Sequence, residues 1–372
     1  MLLIKTKRDT ILKPLQMVTG IVEKRQTSPI LSNVLIQKND EVIYFLTSDM
    51  EMQIKTIFKL KNKQEQNFSL TVSAKKLQDI LRSLDIDAEV SLIRKDEKLQ
   101  IKSGKSLFNL QILPPEDFPV ITTEDNELIA AITLQQNTFK NLLNKVQYAI
   151  AEQDIRYFLN GVLLAIENDE LKAVGTDTHR LALALTAIQS ANTNHEVILP
   201  RKTVIELEKL LKDDKESISI EVFAKRIRFS FSNVVLISRV IDGKYPNYNR
   251  AIPDQSDIFF DLDRLTFLHA LQRVSILSNP NELLRGVRLI ISKEKLEIIC
   301  KNNEQEEATD EIAIQYDDDT IDFSLNITYL FDFLNNIPTD TFRFALVKAS
   351  GSVLITIPGR EDFKYVIMPM KI

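Results

Sequence analysis

The chain has 372 residues, 47 of them basic and 52 acidic for a formal net charge of −5, with one cysteine and no tryptophan. At roughly 100–200 residues per domain this predicts two or three domains with real cores, while the lone Cys300 excludes an intrachain disulfide framework and fits a reducing cytosol. No window nears the ~18 apolar residues of a membrane span, and charges interrupt MLLIKTKRDTILKP before a signal-peptide core can form. A cytoplasmic protein with no membrane partner is expected; the net acidity argues weakly against nucleic acid, pending where the lysines sit.

In DTILKPLQMVTGIV (9–22), Ile11, Leu12, Leu15, Val18 and Val22 recur at three- and four-residue steps, which predicts a helix with one buried face. Pro14 is read into its first turn, where a missing N–H leaves no bond unmade. LSNVLI (31–36), EVIYFLTS and TSDMEMQI (47–54) follow, the second as a strand. LTVSAKKLQDILRSL (70–84) runs into a second helix with Ser73 as its expected cap. AEVSLIRK, KLQIKSG and SLFNLQIL then read as hairpin strands, ahead of EDFPVI (116–121).

The order then returns. QNTFKNLLNKVQYAI (136–150) sets Phe139, Leu142, Leu143 and Val146 on one helix face. It precedes LNGVLL (159–164), GTDTHRLAL (175–183) and VILPRKTVIELEKLL (197–211), whose helix is expected to start near Pro200. ISIEVFAKRIRFSFS and VVLISRVI read as strands, and GKYPNYNRAIP (243–253) matches EDFPVI. LDRLTFLHALQRVSIL (262–277), LRGVRL (284–289) and FSLNITYLFDFLNNI (323–337), the last capped by Asn326, make a third round. The valines of the recurring phrase, Val34, Val162 and Val287, lie 128 and 125 residues apart. Such a period far exceeds the ~20–50 residues of solenoid repeats, so each copy is expected to be a domain with its own core. The predicted class is α+β: three similar domains, each two helices packed on antiparallel sheets.

Basic residues gather on the helices. Lys7, Arg8, Lys13, Lys24 and Arg25 surround the first, Lys140 and Lys145 the next, and Arg264 and Arg273 the first helix of the third copy. The second helices add Lys75, Lys76, Arg82, Arg201, Lys202, Lys209 and Lys212, whereas acids gather at 39–41, 213–216, 304–311 and 317–319. Lysines on a helix are ordinarily a solvated face. Their return on one face of an acidic chain points to a polyanion bound without sequence preference.

Catalytic constellations are scarce. His179, His195 and His269 lie in separate segments, and no metal spacing, P-loop, dinucleotide fingerprint or nucleophile elbow occurs. No catalytic residue, metal or cofactor is expected. Asp177 and His179 lack a third ligand and read as polar pairing at a strand end, with a hydrolase as the alternative. The tail KYVIMPMKI either packs into the last domain or contributes to an adaptable, Met-rich groove.

ILSNVLI, TSDMEMQI, RYFLNGVLL, TDTHRLAL, PRKTVIEL, GKYPNYNRAIP, SNPNELLRGVRL, NNEQEEA and YVIMPMKI occur in that order. Together they resemble the bacterial sliding clamp family, the beta subunit of DNA polymerase III, from residue 1 to 372. The resemblance implies the DNA clamp fold in domains 1–123, 130–253 and 256–372, two chains joining head to tail in a closed ring around duplex DNA. It implies a non-catalytic processivity factor whose partners are the polymerase III catalytic subunit, a clamp loader, and other polymerases and repair proteins carrying clamp-binding motifs.

Carried over residue by residue, the family's motif pocket comprises Leu159, Thr176, His179, Arg180, Leu181, Pro246, Arg250, Asn326, Tyr329 and Ser352, with Val366, Ile367, Met368, Pro369 and Met370 from the tail. Thr178 stands where glycine is usual, Ala251 for a common valine and Leu284 for a frequent aromatic. The ring seam would set Phe108 and Leu110 against Ile276 and Leu277, with Lys98 and Lys105 facing Glu304, Glu306 and Glu307. Leu107 and Asn303 replace a basic residue and a proline there. Duplex DNA would meet Arg25, Gln153 and Tyr157 on loops, beside Phe158, with Lys13, Lys76, Lys140, Lys145, Arg201 and Lys202 as diffuse contacts. A repeat-built peptide-binding scaffold without DNA is the remaining alternative.

Overall fold

The computed structural model describes residues 1–23, 28–60, 67–123, 127–189, 194–253, 258–278, 285–346 and 351–370. Lys24, Arg25 and Leu284 therefore lie outside the described residues. The first repeat contains β1 (Leu2–Lys7), α1 (Arg8–Val18), β2 (Asn33–Asn39), β3 (Val42–Ser48), β4 (Met52–Lys59), β5 (Phe68–Ser73), α2 (Ala74–Ser83), β6 (Glu89–Lys95), β7 (Lys98–Ser103) and β8 (Ser106–Leu113). The second has β9 (Leu128–Gln135), α3 (Gln136–Asn144), β10 (Gly161–Glu167), β11 (Glu170–Thr176), β12 (Arg180–Ala187), β13 (His195–Pro200), α4 (Arg201–Leu210), β14 (Ser217–Phe223), β15 (Arg226–Phe231) and β16 (Val234–Arg239). The third has β17 (Ile258–Asp263), α5 (Arg264–Val274), β18 (Gly286–Ser292), β19 (Lys295–Lys301), β20 (Glu307–Ala313), β21 (Ile321–Asn326), α6 (Ile327–Asn336), β22 (Thr341–Leu346), β23 (Val353–Ile357) and β24 (Arg360–Ile367).

Two compact units emerge, Met1–Asn137 with Ile205–Val240, and Thr138–Val204 with Ile241–Ile372. The first holds a twelve-stranded antiparallel sheet ordered β1-β6-β7-β8-β5-β2-β3-β4-β16-β15-β14-β9. The second holds an eight-stranded sheet, β13-β10-β11-β12-β24-β23-β22-β17, and a four-stranded sheet, β20-β19-β18-β21.

The recurring apolar phrase has one structural job. Val34 sits opposite Val72, Val162 opposite Leu199 and Val287 opposite Leu325, in each case on the strand that leads into the repeat's second helix. All three valines are fully buried, and burial of such a side chain is worth roughly 1.5–3 kcal/mol. Gly161 is required in the middle copy, because a Cβ there would meet the Leu199 carbonyl oxygen at 2.5 Å.

Helix starts depart from expectation. Ser73 makes no side-chain capping bond to α2, whereas the Asn326 side chain accepts from the Thr328 amide at 2.9 Å. Asp263 likewise caps α5, accepting from Thr266 at 2.7 Å. The other means is tertiary: the first amides of α1, α3, α4, α5 and α6 donate to the carbonyls of Ala88, Glu216, Asn160, Asp340 and Arg285. A partner distant in sequence thus fills the first orphan donor of each of these helices, with or without a capping side chain.

Pro14 is not in a first turn. It lies midway along α1, where it removes the bond to the Thr10 carbonyl. The helix persists because Ile11, Leu12, Leu15 and Val18 are buried against β3 and β4. Its regular part ends at Val18 and gives way to a 3₁₀ turn at Thr19–Ile21, with the Val18 carbonyl accepting from Thr47 Oγ1.

Candidate functional site

The second unit carries the site, and its foundation is the turn between β11 and β12. Asp177 Oδ1 accepts the amides of His179 (2.9 Å) and Arg180 (3.0 Å), and Thr176 Oγ1 donates to the Arg180 carbonyl at 2.6 Å while accepting the Thr178 amide at 3.1 Å. This folds the chain tightly enough to put Thr178 at φ 76°, a region unfavourable for a β-branched residue. The Asp177–His179 pair is therefore a backbone-shaping turn. Among the described residues, no three His, Cys, Asp or Glu side chains converge to hold a metal.

Next to the turn opens a cavity of about 680 Å³, within the range of small-ligand and peptide-anchor pockets. Of the residues carried over from the family, Thr176, His179, Arg180, Leu181, Pro246, Arg250, Ser352, Val366, Met368 and Pro369 line it. Its floor belongs to a buried cluster that includes Leu163, Val174, Leu181, Tyr248 and Val366. The tail runs from the eight-stranded sheet to the four-stranded one. The Met368 amide donates to the His179 carbonyl at 2.8 Å, and the Met370 amide to the Ser324 carbonyl at 2.7 Å.

Five expected members stand outside the lining. Leu159 is 1 % exposed, and Ile367 is fully buried because it points to the opposite face of β24 from Val366. Asn326 is engaged as the α6 cap, Met370 forms a bridge with Ser324, and Tyr329 stands behind Arg180. The cavity adds Thr178, Asn247, Tyr248, Ala251, Ile252 and Pro253. All but Thr178 lie in or beside GKYPNYNRAIP, where the run of rings and apolar groups was the available signal.

Arg180 dominates the electrostatics. Its Nε donates to Asp177 Oδ2 at 3.0 Å and its Nη1 to Asp332 Oδ2 at 2.5 Å, while Nη2 donates to the Tyr148 carbonyl. Its planar group lies 4.2 Å from the Tyr329 ring centroid, a favourable cation–π distance. Burial, together with the charge of Asp177 and a hydrogen bond to it, pushes the Tyr329 hydroxyl up to about 12. The Tyr365 hydroxyl, pushed up by burial, donates to the Tyr329 carbonyl at 3.1 Å.

Family models for the DNA polymerase III beta subunit match three successive stretches: the N-terminal domain at residues 2–122, the central domain at 133–247 and the C-terminal domain at 249–371. The beta sliding clamp of Pseudomonas putida is 38 % identical over 367 residues, 98 % of this chain and 99 % of that one. The chain belongs to the DNA polymerase III beta subunit family. The Escherichia coli K12 sliding clamp is 35 % identical over 366 residues, 98 % of this chain and 99 % of its own. A Pseudomonas aeruginosa sliding clamp bound to griselimycin superposes with a TM-score of 0.94 at 35 % identity, covering both chains completely. The Caulobacter crescentus clamp, with a polyethylene glycol at a putative beta-motif tethering region, gives 0.92 at 32 % identity over 99 % of this chain and 98 % of that one.

The other residues expected of a clamp are placed unevenly. In the first unit β8 pairs along its length with β7, but with β5 only at Ile112 and Leu113, so the other edge of 106–111 is unpaired among the described residues. Phe108 and Leu110 are half-buried there, and Leu107 is 53 % exposed. In the second unit β20 is the outer strand of its sheet, and Ile276 nearby is 80 % exposed, with Leu277 half-buried. Glu307 is bonded to Lys301 at 2.5 Å, and Glu306 accepts from the Asn302 side-chain amide at 2.7 Å.

Of the expected DNA contacts, Gln153 (φ 54°), Tyr157 (58 % exposed), Lys76 and Lys202 are exposed, and Lys140 is half-buried. Lys13 is largely exposed and 3.8 Å from Asp9. Lys145 Nζ lies 2.7 Å from Asp362, and its side chain is 14 % exposed. Arg201 binds Glu152 at 2.5 Å. Arg264 and Arg273 are likewise engaged within the fold, the first by the carbonyls of Thr339 and Leu334, the second by Asp310.

Proposed function

We propose that this chain is a non-catalytic processivity factor that acts as a homodimeric ring: it encircles duplex DNA, slides on it without sequence preference, and tethers its polymerase and repair partners through the apolar pocket. The pattern of strand exchange carries this reading. In the first unit β4 pairs with β16, the last strand of the next repeat. In the second unit β12 pairs with β24 in the same manner. β20 and β8 are the corresponding strands left over, one at the end of the series and one at its beginning. A second copy supplies β8 to β20 and β20 to β8, and this pairs every such strand.

Chemistry at the two edges supports that closure. Phe108, Leu110, Ile276 and Leu277 offer apolar surface, and Lys98 and Lys105 on one side complement Glu304 and Glu306 on the other. Exposed ion pairs of this sort set register and encounter rate more than affinity. Exposed strand edges are otherwise aggregation hazards, so a defined partner strand is their natural cover.

The mechanism makes no bond. Encirclement blocks dissociation topologically, while weak ionic contacts from Lys13, Lys76, Lys140, Lys202 and the loop with Gln153 and Tyr157 permit sliding. A polymerase anchored by a short motif in the pocket is kept beside its template at high effective concentration. Because the chain has no nucleotide-binding motif, ring opening falls to a separate ATP-driven loader in the cytoplasm. The test is to load the protein onto nicked circular duplex and then linearise it. Retention before cutting and release after is the expected result; equal retention on both forms would remove the ring.

A further inference from the structure

Arg180 forms part of the cavity wall, and each of its three guanidinium nitrogens is engaged from within the chain. Asp177 holds Nε, Asp332 holds Nη1, the Tyr148 carbonyl holds Nη2, and the Tyr329 ring lies against the plane. The two carboxylates differ in duty. Asp177 also shapes the turn by accepting two backbone amides. Asp332, one turn along α6 from Tyr329, is not among the cavity-lining residues and reaches the site through Arg180.

We propose that Asp332 is a specificity-determining residue of the pocket: by neutralising Arg180 it keeps the wall receptive to apolar anchors and indifferent to a carboxylate on the partner. The inference rests on the reading of the cavity as a motif-peptide site. An arginine in a partly desolvated wall is a strong carboxylate ligand when its donors are free. Here the nitrogen facing α6, Nη1, already donates to an internal acid. Selectivity then comes from suppressing an unwanted attraction, as well as from apolar fit.

The experiment uses the full chain and two fluorescent peptides that share the same Leu-Phe anchors and differ only in Asp or Asn beside them. Anisotropy gives the two Kd values for the natural protein, for Asp332→Asn and for Asp332→Glu, with thermal unfolding followed in parallel. Loss of the charge in Asp332→Asn should raise the preference for the Asp peptide roughly tenfold, the worth of one charge-assisted hydrogen bond. Asp332→Glu, which keeps the charge, should restore the natural ratio. A purely structural brace would weaken both peptides by the same factor, and that result, or an unchanged ratio, overturns the proposal. Should Asp332→Asn fail to fold, Asp332→Ser gives the same readout with a smaller side chain. Failure of the natural protein to bind the Asn peptide would instead refute the peptide-site reading itself.

Discussion

At 48–52 in the first unit, Asp49 takes the amides of Glu51 and Met52 at 3.0 and 2.6 Å, Ser48 takes that of Met50 at 3.2 Å, and Met50 stands at φ 76°. At 176–180 in the second unit, Asp177, Thr176 and Thr178 do the same with nearly the same geometry. The fifth residue differs. Met52 is 2 % exposed and packs into the core, whereas Arg180 is ringed by two acids and a tyrosine and borders a cavity. The two copies of one turn thus differ chiefly in what stands at the last position, a core methionine in one and a cavity-lining arginine in the other.

The comparison can be broken by exchange. Met52→Arg puts a cation into a closed apolar site and should lower stability by about 3–5 kcal/mol in denaturant unfolding. A loss under ~1 kcal/mol would mean that the first turn accepts a cation as readily as the second. The reverse change, Arg180→Met, strands Asp177 and Asp332. Because the Asp332 side chain is 32 % exposed, the cost should be about 2–3 kcal/mol, under that of a fully buried pair.

Asp177→Ala removes turn and ion pair together, about 2 kcal/mol, against about 1 kcal/mol for Asp49→Ala. Equal losses would show that the Arg180 bond contributes nothing. A second ion pair of the second unit answers to pH. Arg360 first, with Lys145, holds Asp362 down from 3.8 to about 2. The folded value is the lower one, so this stabilisation is present above the ordinary value and is lost as pH falls toward about 2. Asp362→Asn should therefore cost about 1 kcal/mol at neutral pH after solvent screening, and the difference should shrink across that acid window. A pH-independent difference in chemical denaturation would contradict it. The smallest effect is a gain: Thr178→Gly should relieve φ 76° and stabilise by about 0.5–1 kcal/mol, more than Met50→Gly because methionine is not β-branched.

Alternation and helical spacing in the sequence made the strands and both helices of each repeat readable, since buried faces impose those periods directly. The β8 run SLFNLQIL is an example, as is the face of α3 set by Phe139 and Leu143. Pairing was not readable. Lys145 looks like a surface cation until Asp362, 217 residues away, is brought against it. Ser73 has the chemistry of a cap and does not act as one, whereas the first amide of α1 is met by a distant carbonyl that no local pattern announces. Ten pocket residues were accessible through resemblance and lie in the lining. Ile367 does not, because alternation along β24 sends it inward.

The unlike edges of β8 and β20 have a further consequence. In the proposed ring two copies would meet at a pair of identical junctions, and parting one would leave its twin holding. Opening then breaks one junction only, and the opened assembly stays a single object able to reclose at high effective concentration. A mixed pair, one chain sound and one with a spoiled β8, retains one good junction and gives a hinged collar that never latches.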